Sequence, residues 1–173
     1  SNQLELLGSD ISINAGLNEL TFNVSSLTKN LDATLKILEE IMFSPKFDSA
    51  EFSRSKKMII EGIENQKTQP TVIADNVFRK LLYGQGSILG IPVIGTKETV
   101  NGITRDELIA YYNNNFSPSV TKLVVVGDVT KEQLLTKLEF LKKWQNKKVM
   151  RSNPPAPPSI EKTKVFFVDK TKA

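Results

Sequence analysis

An α+β domain is the fold class that this sequence predicts, and three features predict it. Apolar and polar residues alternate from Ile11 to Ser25, as they do on a half-buried strand. Leu31, Leu35, Leu38 and Met42 recur at helical spacing, and Leu123-Val124-Val125-Val126 is a short apolar run of the kind a buried strand carries. The composition supports a packed core: 39% of the 173 residues are apolar and 24% charged, enough chain for one ordinary domain and too little for two.

In order, the alternation places Ile11, Ile13 and Ala15 on one strand and Leu20, Phe22 and Val24 on a second, joined at Gly16-Leu17-Asn18. Thr28 is the N-cap candidate for the helix carrying Leu31 to Met42, with Asp32 and Lys36 as an outer i,i+4 pair. Ser44-Pro45 stops that helix, because the residue before a proline is pushed out of the helical region. Asp48, with Glu51 three residues later, opens a longer helix to about Gln66, its inner stripe formed by Phe52, Ile59 and Ile63. Pro70 marks a break, and a third helix with Ile73, Val77 and Leu81 on one face ends at Gly84.

A loop holding Gly84, Gly86, Gly90, Pro92 and Gly95 follows; its glycines do not sit between a strand and a helix start, which argues against a phosphate cradle. Thr104 and Glu107 form a capping box for a helix to about Asn115. After the strand at 123–126 and Gly127-Asp128, Thr130 and Gln133 cap a last helix to about Trp144. The prolines at 154, 155, 157 and 158 make 146–160 a semi-rigid linker, and Lys164 to Val168 within 161–173 reads as the first strand of a following domain.

The sequence contains no cysteine and no histidine, which removes disulfides, thiolate chemistry, Cys/His zinc sites and imidazole acid-base catalysis together. No apolar run approaches the roughly 20 residues a membrane-spanning helix needs, so a soluble chain is expected. Without cysteine, an envelope or periplasmic setting and a cytoplasmic one fit equally well. Of the net charge of +4, much sits in Lys142, Lys143, Lys147, Lys148 and Arg151. These residues follow a helix C-terminus, where cations complement the dipole; the alternative is a patch for an acidic partner. No aromatic residues interleave them to stack bases, so nucleic acid is not an expected partner.

Several strings taken together resemble one family. Ile13-Asn14-Ala15, Ser44-Pro45-Lys46-Phe47-Asp48, the Phe52 to Ile63 helix, Leu82-Tyr83-Gly84, Ile94-Gly95-Thr96 with Glu98, Ile103-Thr104, Tyr111-Tyr112 and Leu123 to Asp128 fall in the order seen in pitrilysin/insulinase-type (inverted zinc-motif) peptidases and mitochondrial processing peptidases. The resemblance runs from about Leu6 to Trp144. It implies a metallohydrolase-type domain over 1–145, partial in this chain, with helices on one face of a mainly antiparallel sheet. It also implies a protein whose repeated domains pair as a clamp around a peptide.

In catalytic members of that family, His-x-x-Glu-His and a glutamate on a later helix hold zinc, and the motif glutamate activates the bound water. Neither histidine is present here. On the matching helix Gly62 stands in the place of the liganding glutamate, and Ser55 in the place of a second acidic residue. Positions seven apart share one helix face about 10.5 Å along the axis, so both missing carboxylates belonged to one site. Glu61 is rotated by about 100° from Gly62 and reads as a solvated carboxylate. Gly62 costs roughly 1 kcal/mol relative to alanine in a helix, and close packing at the position of the family's metal pocket would offset that.

The resemblance thus implies no catalytic and no metal-binding residue on this chain, with zinc held by a catalytic partner domain or subunit. Histidines in a missing N-terminal part of this domain would still lack a carboxylate at Gly62. For Asn14 and Ala15 the resemblance implies an edge strand that bonds to substrate backbone, and a plain strand-to-turn junction is the other reading. Two functions stand open: a peptide-clamping, non-catalytic part of a zinc peptidase, or a scaffold or assembly subunit without proteolytic role.

Overall fold

The computed structural model describes residues 2–84, 86–150, 156, 159 and 162–167. Two compact units divide the chain: 1–47 with 109–149, and 48–108 with 150–173.

In the first unit, α1 (Asn2–Leu6) leads into a hairpin of β1 (Asp10–Ala15) and β2 (Leu20–Ser25). The strands pair antiparallel in unbroken register from Asp10↔Ser25 to Ala15↔Leu20, as the period-two alternation requires. A 3₁₀ turn (Thr28–Asn30) then opens α2 (Leu31–Phe43). Leu35 and Met42 are buried on its inner side. Thr34 is fully buried as well, its hydroxyl 2.7 Å from that of Ser9, 2.9 Å from that of Ser26, and donating to Asn30 O at 3.0 Å. This polar knot ties the hairpin's open end to α2, and every buried hydroxyl in it is satisfied.

Aromatic rings fill the rest of this core. Phe116 lies 4.5 Å from Trp144, 5.1 Å from Tyr112, 6.1 Å from Phe22 and 6.4 Å from Phe43, centroid to centroid. Such pairs contribute about 0.5–1.5 kcal/mol each beyond area burial. Phe140 and Trp144 reach Phe43 from the far end of the chain, at 6.4 and 6.0 Å. Two ion pairs bind the same segments: Lys137 on Asp32 at 2.5 Å, and Lys143 on Glu39, with the Lys143 ammonium also 4.8 Å from the Phe43 ring centroid.

The second unit is helical. In α3 (Ser49–Gln66), the Asp48 carboxylate accepts from the Ala50 and Glu51 amides at 2.9 and 3.0 Å. Pro70 begins α4 (Pro70–Tyr83), where its missing N–H is not needed. Gly84 ends α4 at φ +82°, and a 3₁₀ turn (Ile88–Gly90) folds back against that end. A Cβ at Gly90 would stand 2.3 Å from Gly84 O, so only glycine fits there. Thr96 and Thr99 form a capping box at the start of α5 (Lys97–Gly102). Thr104 and Glu107 form another at α6 (Arg105–Asn115), whose residues from Ile109 onward belong to the first unit. A 3₁₀ turn (Pro118–Val120), α7 (Lys131–Lys137) and a 3₁₀ stretch (Glu139–Lys143) complete the first unit.

Several expectations are corrected. Thr28 does not cap α2: it starts the 3₁₀ turn, and the N-cap residue is Asn30, whose side chain donates instead to Leu7 O at 2.7 Å. Asp32 is paired with Lys137, not along its own helix with Lys36, because the core brings α7 beside it. On α3 the covered side runs through Phe52, Ile60 and Ile63, while Ile59 is exposed; Leu81 of α4 is exposed too. The short helices α1 and α5 were not anticipated. The segment 123–126 forms no strand, and Val124 and Val126 are 83% and 94% exposed, since no neighbouring strand among the described residues offers it a ladder. Residues 163–167 likewise have no strand structure, Val168 lies outside the described residues, and so does most of the proline-rich linker.

Candidate functional site

On α3, Ser55 and Gly62 lie two turns apart, as the spacing requires, Ser55 exposed and Gly62 half-buried. A Cβ at Gly62 would meet nothing within 4 Å, so the anticipated close packing is absent among the described residues. Neighbouring carboxylates on this helix are matched to cations. Glu61 lies 3.9 Å from Lys57, Glu51 2.5 Å from Arg54, and Glu64 2.9 Å from Lys67 and 3.5 Å from Lys97. The Lys67 hydrogen bond is the main cause that holds the Glu64 carboxyl below its ordinary pKa. Exposed pairs of this kind contribute little to stability, because solvent screens them.

A protein zinc centre needs three or four converging N, S or O donors. Among the described residues no three His, Cys, Asp or Glu side chains gather at one point. With a hydroxyl at 55 and no side chain at 62, the donors on this face do not fit zinc.

Asn14 and Ala15 close β1, both exposed, in pairs with Thr21 and Leu20. Gly16 N donates to Glu19 O at 2.8 Å, which makes that pair a hydrogen-bonded one. Antiparallel pairs alternate, so Asn14/Thr21 is hydrogen-bonded in turn, and Ala15/Leu20 directs its main-chain groups away from the hairpin. Asn14 therefore has only its side chain to offer a ligand, whereas Ala15 offers a main-chain donor and acceptor. Among the described residues no strand lies on the outer edge of β1. Ser55 and Gly62 belong to the second unit and Asn14 and Ala15 to the first.

Sequence patterns missed Lys56. Its ammonium donates to Asn101 O and Ile103 O, both at 2.7 Å, anchoring the end of α5 to α3. Nothing local signals a contact 45 residues away. The basic run at the chain's far end is partly engaged within the first unit: Lys142 on Glu139, Lys143 on Glu39, and Lys147 donating to Asn113 O. Arg151 lies outside the described residues.

The chain matches known proteins at three levels. An uncharacterised zinc protease of Bacillus subtilis is 28% identical over 104 residues, covering 60% of this chain and 25% of its own length. The mitochondrial-processing peptidase β subunit of Neurospora crassa is 25% identical over 134 residues, 77% of this chain and 28% of that protein. The chain thus spans only about a quarter of the length of the curated relatives it matches. A crystal structure of a peptidase M16 inactive domain from Pseudomonas fluorescens superposes with a TM-score of 0.81 at 21% identity, over 91% of this chain and 38% of the other, and shares the α+β fold. The family model described as peptidase M16 inactive domain matches residues 102–173. The model of insulinase (peptidase family M16) matches residues 1–97, more than half of the sequence, and on that ground the chain belongs to peptidase family M16, the insulinase family.

Proposed function

We propose that this chain is a non-catalytic, structural and peptide-clamping part of a zinc metallopeptidase, cleavage being carried out by a partner domain or subunit that bears His-x-x-Glu-His. The observation that carries the reading is the α3 face, where a hydroxyl and a bare glycine occupy Ser55 and Gly62 in a chain without histidine. In this reading 146–160 links the domain to a following one that begins within 161–173. The outer edge of β1 receives the peptide as an added strand, Ala15 offering its main-chain donor and acceptor and Asn14 its side chain.

The test uses the full-length protein with its partner. Zinc content and turnover stay unchanged in Gly62→Ala, whose added methyl supplies no ligand. Ala15→Pro removes an outward-facing N–H without breaking the hairpin ladder, and raises KM for an unstructured peptide while kcat holds. Stoichiometric zinc and peptide turnover in the purified chain alone would falsify the proposal; an unmoved KM in Ala15→Pro would refute the clamp at β1.

A further inference from the structure

Asn101 and Gly102 end α5 and form the one Asn-Gly pair in the sequence. Both are exposed, and a Cβ at Gly102 would meet nothing within 4 Å, so the space around this peptide group is open. Gly102 is the last residue of a six-residue helix, so only that last turn has to open for the Asn101 side chain to turn towards the Gly102 nitrogen.

The Lys56 ammonium donates to Asn101 O at 2.7 Å, and that oxygen belongs to the peptide bond whose nitrogen is that of Gly102. When such a nitrogen loses its proton, most of the negative charge resides on the oxygen of the same peptide group. A cation already bonded to that oxygen stabilises the anion, as an oxyanion-hole donor does. A second bond from Lys56, to Ile103 O at 2.7 Å, holds the ammonium in place.

We propose that Asn101 is a self-modification site, converted through a cyclic imide, with Lys56 stabilising the amide anion of Gly102. Hydroxide removes the Gly102 N–H proton. The nitrogen forms a bond to Cγ of Asn101, the Cγ–Nδ2 bond breaks, and ammonia leaves with a proton from water. A water molecule then opens the five-membered ring at either carbonyl, leaving an aspartyl or isoaspartyl residue at position 101. One water is consumed and one ammonia released, with no change of oxidation state. Glycine at 102 is required because a side chain there would screen the attacking nitrogen. The product adds a carboxylate at position 101, and its isoaspartyl form lengthens the main chain by one atom within the last turn of α5.

Peptide mapping by mass spectrometry of the purified protein, aged at mildly alkaline pH, follows the reaction. Asn101 is expected to convert faster than every other asparagine. Lys56→Met slows it by about threefold to fivefold, the scale of an exposed charge contact, and Lys56→Arg restores the rate. A lysine acting only as an anchor gives the opposite sign, because releasing the end of α5 speeds ring closure. An unchanged or faster rate in Lys56→Met, or an Asn101 as durable as the remaining asparagines, overturns the proposal.

Discussion

Tyr112 donates its phenolic hydrogen to the main-chain oxygen of Met42, 70 residues earlier in the chain. Met42 lies in the last turn of α2, where a carbonyl has no partner within the helix, so the phenol satisfies an oxygen the helix leaves open. The ring also stacks on Phe116 and meets Phe47 edge-on at 5.4 Å. One side chain thereby closes a helix end and joins the aromatic core.

Tyr112→Phe keeps the ring and loses the donor, so it is expected to lower stability by about 0.5–1.5 kcal/mol in urea denaturation at neutral pH. Burial raises the Tyr112 pKa above its ordinary 10.0. The neutral phenol is the form the fold favours. Its contribution is complete below the unfolded value and fades as pH climbs through the raised one. The gap between parent and Tyr112→Phe should therefore narrow only above about pH 10; a gap that narrows near neutrality contradicts this account.

Two glycines should respond to alanine with opposite signs. At Gly62 the added methyl meets nothing within 4 Å, so Gly62→Ala is expected to raise stability by up to about 1 kcal/mol. At Gly90 the methyl would collide with Gly84 O, so Gly90→Ala is expected to lower stability by about 1–3 kcal/mol. Thermal or urea melts of both variants decide the matter, and a loss at Gly62 would mean that something does pack on it.

The Glu107 carboxylate accepts from the Thr104 main-chain N–H at 2.7 Å and from its hydroxyl at 2.8 Å. The main-chain bond first, and the hydroxyl second, lower its pKa from the ordinary 4.5. Its contribution to α6 is thus present above 4.5 and is lost as pH falls through the depressed value. A side-chain NMR titration should place the Glu107 midpoint below 4.5, and Glu107→Gln should remove this acid-side dependence from the α6 melting profile. A midpoint at or above that value rules the contact out.

Local chemistry made most of the fold legible. The β1–β2 hairpin, the Asp48 cap, the proline start and glycine end of α4, and the boxes at Thr104 and Thr130 are each specified by residues a few positions apart. What stayed hidden depends on distant partners. Asp32 chooses Lys137 over Lys36, and α5 hides behind a Thr-Thr box inside a stretch punctuated by glycine and proline. For the candidate site, the α3 positions followed directly from spacing. The limit on Asn14 did not, because which residues of a strand face outward is set by the hairpin's closing pair at Gly16 and Glu19.

The uncovered segment 123–126 bears on handling as well as architecture. Four branched apolar residues in succession fall short of the six- or seven-residue segment that seeds cross-β stacking, and any six-residue window holding them takes in Lys122 or Asp128. Those flanking charges are gatekeepers against edge-to-edge pairing of the exposed run, and a lysine at Val124 or Val126 would add another within it.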